Sequence, residues 1–292
     1  MKIYNPKHWF GILFQFHKYD TLRKLFFLIL IISAYAAIVA YVELMYTEHD
    51  VNDHFKNLFM LHNLLGLALS LLLVFRTNTA YDRWWEGRKL WGALVNNSRN
   101  LAIKLKGIIP EEDVDNRTFF RRVIPLYGFI LRNHLLSEST LFDLDETEHP
   151  ELKNINTAKH HPNQVAEMLI IRVQNLHKKG AISGEQLLYL NNELMSFTDI
   201  CGACERIKNT PIPYSYSAFI KKFIFIYIMT LPLGFTYSLH YLVVPVTAVV
   251  FYVLASLELI AEEIEDPFGK DSNDLPMDKI SKNIQKHVAE IL

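Results

Sequence analysis

The chain has 292 residues, of which 50% are hydrophobic and 21% charged, and its formal net charge is −1. This combination is typical of neither a wholly membrane-embedded protein nor an ordinary soluble one, and it predicts membrane spans joined to a soluble part. The near-neutral charge gives no support to nucleic-acid binding. Two cysteines, Cys201 and Cys204, are too few for a disulfide scaffold.

Residues 1–24 mix aromatic and basic side chains. That composition is typical of an interfacial segment at a negatively charged membrane leaflet, and equally of a helix packed on the soluble part. Residues 25–75 contain two apolar stretches, at 25–44 and 58–75, each close to the length of about 20 residues that crosses a bilayer. We therefore predict two transmembrane helices in this part of the chain.

Basic residues flank the two predicted spans mainly on one side, and Lys56 is the one lysine or arginine in the loop between them. Arg23 and Lys24 precede the first span, and Arg76 and Arg83 follow the second, whereas the connecting loop at 45–57 is acidic. Because lysine and arginine concentrate on the cytoplasmic side, the N terminus is predicted to be cytoplasmic and this loop to face outward.

Residues 76–218 are predicted to form a cytosolic helical domain. Apolar residues recur at helical spacing, and no alternating strand pattern occurs. Ser183 followed by Gln186 matches a capping box at the start of a helix. A polar, irregular loop is predicted at 143–162. The helices are predicted to continue from the second span to Gly107 and then to cover 119–136, 164–178 and 183–207.

Residues 219–262 hold a third and a fourth predicted span, at 223–239 and 241–260, and 263–292 form a cytosolic C-terminal segment. Four crossings leave both termini in the cytoplasm, which predicts a multi-pass protein of the plasma (inner) membrane with an all-α fold. Glu258, late in the fourth span, is either a functional intramembrane carboxylate or a residue at the cytoplasmic interface.

The second span has two distinct faces. Leu61, Leu64, Ala68, Leu72 and Phe75 fall on one face by helical steps, and the small or polar Asn63, Gly66 and Ser70 fall on another. A polar stripe suits a wet pore, and an apolar stripe suits a constriction that closes by dewetting. An ordinary buried span fits the same pattern, so periodicity alone leaves these three interpretations open.

Few residues point to enzyme chemistry. Cys201 and Cys204 match Cys-x-x-Cys, a redox or zinc half-site in some proteins, although close helix packing by small residues explains them as well. His160 and His161 are adjacent and therefore badly spaced for one metal ion, and we interpret them as solvated. The sequence contains no nucleophile triad order, phosphate loop or zinc-protease motif, so the protein is predicted not to be an enzyme.

An acidic turn follows the fourth span at 262–274. Carboxylates with asparagine and backbone carbonyls are the ligands that Ca²⁺ prefers, although the spacing is not that of an EF-hand. A structural turn, in which Pro267 ends the helix and Gly269 permits the bend, explains the same residues.

Three stretches together resemble the bestrophin family, on its bacterial side. They are FRTNTAYDRWWEGRKLWG at 75–92, GACERI at 202–207 with TPIP at 210–213, and IEDPFG at 264–269 with NDLP at 273–276. Their order and spacing cover nearly the whole chain. The resemblance implies a homopentameric ion channel in the lipid bilayer, with four spans per subunit around a fivefold axis.

The resemblance also implies roles for individual residues. A hydrophobic neck on the second span is carried onto Leu64, Ala68 and Leu72, which differ from the aromatic rings of animal members. A calcium clasp of animal members is carried onto Asp271 and Asp274, with fewer carboxylates around them here. A second constriction in the cytosolic vestibule is expected near residues 182–186.

The permeant ion is predicted to be chloride, as the resemblance to the family implies. A monovalent cation is the alternative, because the acidic loop at 45–57 would enrich cations at the outer mouth. A membrane-anchored scaffold that conducts nothing is the non-channel interpretation.

Overall fold

The computed structural model describes residues 21–46, 52–137 and 155–292. These ranges contain no strand, so the all-α prediction is confirmed for them. The N-terminal segment, part of the acidic loop and most of the predicted polar loop lie outside the described residues. The helices are α1 (Thr21–Tyr46), α2 (Asn52–Ile108), α3 (Val114–Leu136), α4 (His161–Lys178), α5 (Gly184–Asn209), α6 (Tyr214–Leu239), α7 (Val243–Glu265) and α8 (Met277–Ile291).

Helix α2 is a single helix of 57 residues. At 1.5 Å per residue it is about 85 Å long, well beyond the bilayer core. No proline interrupts it, and it ends just before Ile109, whose successor Pro110 disfavours helical backbone at the preceding residue. The predicted continuation of the second span into a long polar helix is therefore what the structure shows.

Three stretches are long and apolar enough to cross a membrane: Thr21–Tyr46, Met60–Ile108 and Tyr214–Glu265. The last one contains α6 and α7, joined by the short 3-10 helix His240–Leu242. The protein is a membrane protein by this composition.

The chain divides into two compact units. The first, here called the membrane unit, comprises the described residues up to Arg83 together with 211–265. In it α1, α6 and α7 pack on one another. Its main apolar core includes residues from α1, α2 and α6, namely Ile32, Leu69, Leu73, Ile220, Ile224 and Ile228.

The second unit, here called the polar unit, comprises the described part of 84–210 together with 266–292. It contains the second half of α2 with α3, α4, α5 and α8. Tyr127 is fully buried in its core, where the hydroxyl donates a hydrogen bond of 2.6 Å to the carbonyl of Phe197. Burial raises the pKa of this phenol, so the hydroxyl keeps its proton and acts as a donor.

Local capping explains where the polar helices begin. The hydroxyl of Ser183 accepts from the backbone of Gln186, whose side chain accepts from the backbone of Ser183, so the predicted capping box is present. Asp113 caps α3 in a similar way, and α3 therefore begins five residues before the predicted start at 119.

Candidate functional site

One face of α2 packs inside the membrane unit. Leu69, Leu73, Arg76 and Ala80 are buried, at spacings of three and four residues. Residues at this spacing lie on one side of a helix, so this stripe fixes how α2 is rotated within its unit. The opposite side of the same helix is exposed in the single chain.

The exposed face of α2 carries an apolar stripe. Leu64, Leu67, Leu71 and Phe75 are all at least half exposed. Of the residues predicted for the neck, Leu64 and Ala68 lie on this exposed side, whereas Leu72 is half-buried at its edge. The phase of the stripe is set by the packed face, and the sequence pattern alone did not reveal it.

Helices α2 and α6 approach each other closely at the predicted small-residue face of α2. A Cβ added to Gly66 would lie 2.7 Å from the hydroxyl oxygen of Tyr227 on α6. One turn earlier, His62 stacks on the same tyrosine with ring centroids 3.9 Å apart. A larger residue at this position would force Tyr227 to move, so Gly66 serves packing between α2 and α6.

Charged groups anchor the end of the exposed stripe. Arg76 is 1% exposed, and its Nη2 donates to Oε2 of Glu265 over 2.6 Å. The other carboxylate oxygen of Glu265 accepts the backbone N–H of Ile212 at 2.7 Å. Arg83 donates to the backbone carbonyl of Glu265 at 3.0 Å. One residue at the end of α7 thus holds α2 and the segment that leads into α6.

Glu258 takes part in the same buried charge cluster. It is buried, and its Oε2 lies 3.5 Å from Nε of Arg76. A buried carboxylate is stabilised by a nearby cation, and Arg76 supplies that charge. The sequence pattern places Glu265 in the acidic turn rather than beside Glu258, although both lie on the last two turns of α7.

Parts of the three family-like stretches meet in the polar unit. The indole N–H of Trp84 donates to the carbonyl of Asn273 at 2.9 Å, and Arg206 pairs with Glu86 at 2.6 Å. A Cβ on Gly87 would lie 3.1 Å from Pro267 and 3.2 Å from the ring of Phe268. The residues that carry the resemblance are therefore structural neighbours, and they fix the turn that follows α7.

The acidic turn is closed by its own hydrogen bonds. A carboxylate oxygen of the buried Asp274 accepts the N–H of Asp271 at 2.5 Å, and a Cβ on Gly269 would lie 2.7 Å from that oxygen. Asp271 is exposed. Ca²⁺ needs six to eight oxygen ligands, and among the described residues the carboxylate of Asp274 caps the turn instead of joining such a set. These residues fit a structural turn, and we derive no step through calcium.

The two cysteines face the core of the polar unit. Both are buried free thiols on α5. Burial raises the pKa of Cys201 to about 12 and that of Cys204 still further, so neither is a reactive thiolate. Between them Gly202 is exposed, and a Cβ there would meet no described atom within 4 Å. Packing by the thiols explains the Cys-x-x-Cys pattern.

His160, interpreted as solvated, is half-buried and makes two specific contacts. Its Nδ1 accepts the N–H of Asn163 and caps α4, while its Nε2 lies 2.7 Å from a carboxylate oxygen of Glu205. The residues around His160 are polar and close to a proline, which led to the prediction of an irregular loop. The capping role of a histidine side chain has no clear sequence signal.

Comparison with known proteins places the chain in a family. The family model described as Bacterial/Fungal Bestrophin protein matches residues 1–290. A voltage-dependent anion channel-forming protein of Nostoc, alr2987, is 36% identical over 77% of this chain and 75% of its own length. The protein YneE of Salmonella typhi, also named a voltage-dependent anion channel-forming protein, is 30% identical over 96% of this chain and 90% of its own.

Solved structures agree with this assignment. A bacterial bestrophin homolog from Klebsiella pneumoniae superimposes with a TM-score of 0.80 at 25% identity, covering 91% of this chain and 98% of that one. A variant of the same homolog gives a TM-score of 0.81. The chain belongs to the bacterial and fungal bestrophin family.

Proposed function

We propose that the protein is a homo-oligomeric anion channel that passes chloride along an axis lined by α2. The observation that carries the proposal is the name of its relatives: proteins up to 36% identical over three quarters of the chain are described as voltage-dependent anion channel-forming proteins. No catalytic step is part of this function.

The exposed stripe of α2 supports a hydrophobic neck. One face of α2 is used for packing, and the opposite face carries Leu64, Leu67, Leu71 and Phe75. If this face points to the axis, several copies form rings of apolar side chains one helical turn apart, and such a constriction gates by dewetting. The neck then includes Leu64 and Ala68 as predicted, and continues through Leu71 rather than Leu72.

Five subunits, four crossings per subunit and cytoplasmic termini belong to the same proposal. The 26 residues of α6 and the 23 residues of α7 are each long enough to cross the bilayer core of about 30 Å. With α1 and α2 they make four crossings in the plasma membrane. Basic residues at the ends of the first and second spans then lie on the cytoplasmic side.

The sign of the permeant ion is the finer part of the proposal. The apolar stripe has no charge with which to choose between anions and cations, so selectivity depends on dehydration and on charges elsewhere along the pathway. The names of the relatives support an anion, and chloride is the anion that the resemblance to the family implies. A monovalent cation is the alternative, and the acidic loop that would favour it lies in part outside the described residues.

A flux assay tests the neck directly. Chloride efflux is followed from liposomes that contain the purified protein, with Leu71→Ala and Leu64→Ala compared with the wild type. Both variants widen the proposed constriction, and we expect faster efflux in each. Phe27→Ala on α1 is the matched control, because Phe27 is also apolar and largely exposed but lies on another helix. Its efflux should equal that of the wild type.

Two results count against the proposal. Equal efflux from all four proteins would remove the neck from this face of α2. No efflux from any of them, with intact oligomers in the liposomes, would favour a membrane scaffold without a pore.

A further inference from the structure

Three side chains from three helices of the polar unit converge on one point, and none of them is a residue assigned to the pore. His134 lies in the last turn of α3, His160 caps the start of α4, and Glu205 lies near the end of α5. Nε2 of His134 is 2.6 Å from Oε1 of Glu205, and Nε2 of His160 is 2.7 Å from the same oxygen. One potential ligand atom from each residue lies within 4.8 Å of the other two.

The chemistry of these three groups matches a transition-metal ion. Two imidazole nitrogens and one carboxylate oxygen are a donor set that Zn²⁺ uses with bonds of about 2.0–2.2 Å. Tetrahedral geometry at that bond length separates ligand atoms by about 3.4 Å. The nitrogen–oxygen distances here are 2.6 and 2.7 Å. Lengthening both distances to the tetrahedral value requires the Glu205 oxygen to move by about 1 Å, which a rotation of the side chain can supply.

The cluster is also accessible. Its side chains are 30–32% exposed, so a water molecule can reach the fourth coordination position. Among the residues that the structure describes, this is the only group of three or more histidine, cysteine or acidic side chains with such mutual distances.

We propose that His134, His160 and Glu205 bind a divalent transition-metal ion, with Zn²⁺ as the best match and water as the fourth ligand. A bound ion would join the end of α3, the start of α4 and the end of α5. These ligands are far apart in sequence, so the ion would stabilise the tertiary arrangement of the polar unit rather than one helix.

The hydrogen bond at the other ring nitrogen of His160 makes binding detectable at this site. The backbone N–H of Asn163 donates to Nδ1 of His160, so the neutral ring carries its hydrogen on Nε2, where it donates to Glu205. A metal on Nε2 displaces that hydrogen, and the neutral ring then carries it on Nδ1. The cap of α4 is lost in the bound state, and the amide of Asn163 should exchange its hydrogen faster.

Zinc titration of the purified, metal-stripped full chain tests the site. Isothermal calorimetry compares the wild type with His134→Ala and Glu205→Gln. Because the chain has 12 histidines, other weak zinc sites are expected. The difference between the wild type and the variants shows whether zinc binds at this cluster. We expect each variant to lose one zinc ion per subunit, or to bind that ion at least tenfold more weakly. Zinc should also speed exchange at Asn163 in the wild type but not in these two variants.

The adjacent histidine provides a matched control. His161 lies next to His160 but faces the carbonyl of Thr157 and is not part of the cluster, so His161→Ala should bind zinc like the wild type. His134→Gln keeps a side-chain hydrogen-bond donor. It replaces Glu205→Gln in the zinc titration if that variant does not fold. Equal zinc stoichiometry and affinity in the wild type and in the folded His134 variants would overturn the proposal and leave a purely hydrogen-bonded contact.

Discussion

Nη2 of Arg76 lies 2.6 Å from Oε2 of Glu265, and this pair joins the middle of α2 to the last residue of α7. Arg76 belongs to the packed face of α2, four residues from Leu72 and one from Phe75 at the end of the exposed stripe. The rotation of α2, and therefore the direction of the proposed neck, depends on an ion pair that is almost completely removed from solvent.

Loss of this pair should destabilise the membrane unit strongly. Glu265→Gln leaves a buried guanidinium with Glu258 as its remaining nearby carboxylate, and removal of one partner of a buried pair costs about 3–5 kcal/mol. We expect a decrease in Tm of roughly 5–10 °C in detergent, measured by intrinsic fluorescence. Glu262→Gln is the control, because Glu262 and its partner Lys221 are both half exposed and such pairs contribute about 0–1 kcal/mol. Equal Tm values for the two variants would refute the anchoring role of Glu265.

The two faces of α2 should respond oppositely to the same substitution. Leu69 is fully buried and Leu71 is 53% exposed, only two residues away. Leu69→Ala creates a cavity and should cost about 2–5 kcal/mol of stability. Leu71→Ala should leave the Tm within about 2 °C and change ion flux instead. A large loss of stability in Leu71→Ala without any change in flux would place this face in a packed contact rather than at the pore.

Substitution of two glycines in the family-like stretches by alanine should change the stability of the protein in opposite directions. Gly87→Ala forces a Cβ against Pro267 and Phe268, and overpacking of this kind costs about 1–3 kcal/mol. Gly202→Ala lies inside α5 with open space around it and should gain up to about 1 kcal/mol, because alanine favours the helix. Chemical denaturation of both variants checks the two signs. A stabilised Gly87→Ala would show that the turn after α7 adapts freely.

The buried thiols predict a pH dependence with a definite sign. The pKa of Cys201 is raised from the ordinary 9.0 to about 12 by burial, so the folded protein keeps a proton that the unfolded chain releases above pH 9. Stability from this group is therefore complete below pH 9 and decreases as the pH rises further. Alkylation by iodoacetamide at pH 8 should be slow in the native protein and fast in denaturant. Rapid alkylation of the native protein would contradict the buried, protonated state.

Cys201→Ala separates the thiol from other groups that titrate at high pH. The variant lacks the ionisable group but keeps a small apolar side chain, so its Tm should fall less between pH 8 and pH 10 than that of the wild type. An identical fall in both proteins would assign the pH dependence to other residues.

Features that depend on residues close together in the sequence could be predicted. The length of α2, the capping box of Ser183 and the family-like stretches are readable because each depends on neighbours within a few residues. Helix α8 could have been predicted by the same means, since Met277, Ile280, Ile284 and Val288 are buried at helical spacing. The sequence pattern places these residues only in a C-terminal segment, because no helix start signal was recognised after the acidic turn.

Features that depend on distant partners could not be predicted from the sequence. The contact between Arg76 and Glu265 spans 189 residues, and that between His134 and Glu205 spans 71. Helical periodicity also defines faces without saying which one packs. A difference of one residue, Leu72 against Leu71, rotates a side chain by about 100° around the helix, which is enough to move it from the edge of the exposed stripe to its centre.

The reversal potential in a planar bilayer under a KCl gradient tests the central claim most directly. The purified oligomer is incorporated, and the voltage of zero current is compared with the equilibrium potentials of the two ions. A value near the chloride potential is the predicted result. A value near the potassium potential would contradict the anion channel and make this protein a cation channel. If the wild type is closed, the same measurement on Leu71→Ala gives the sign of the permeant ion.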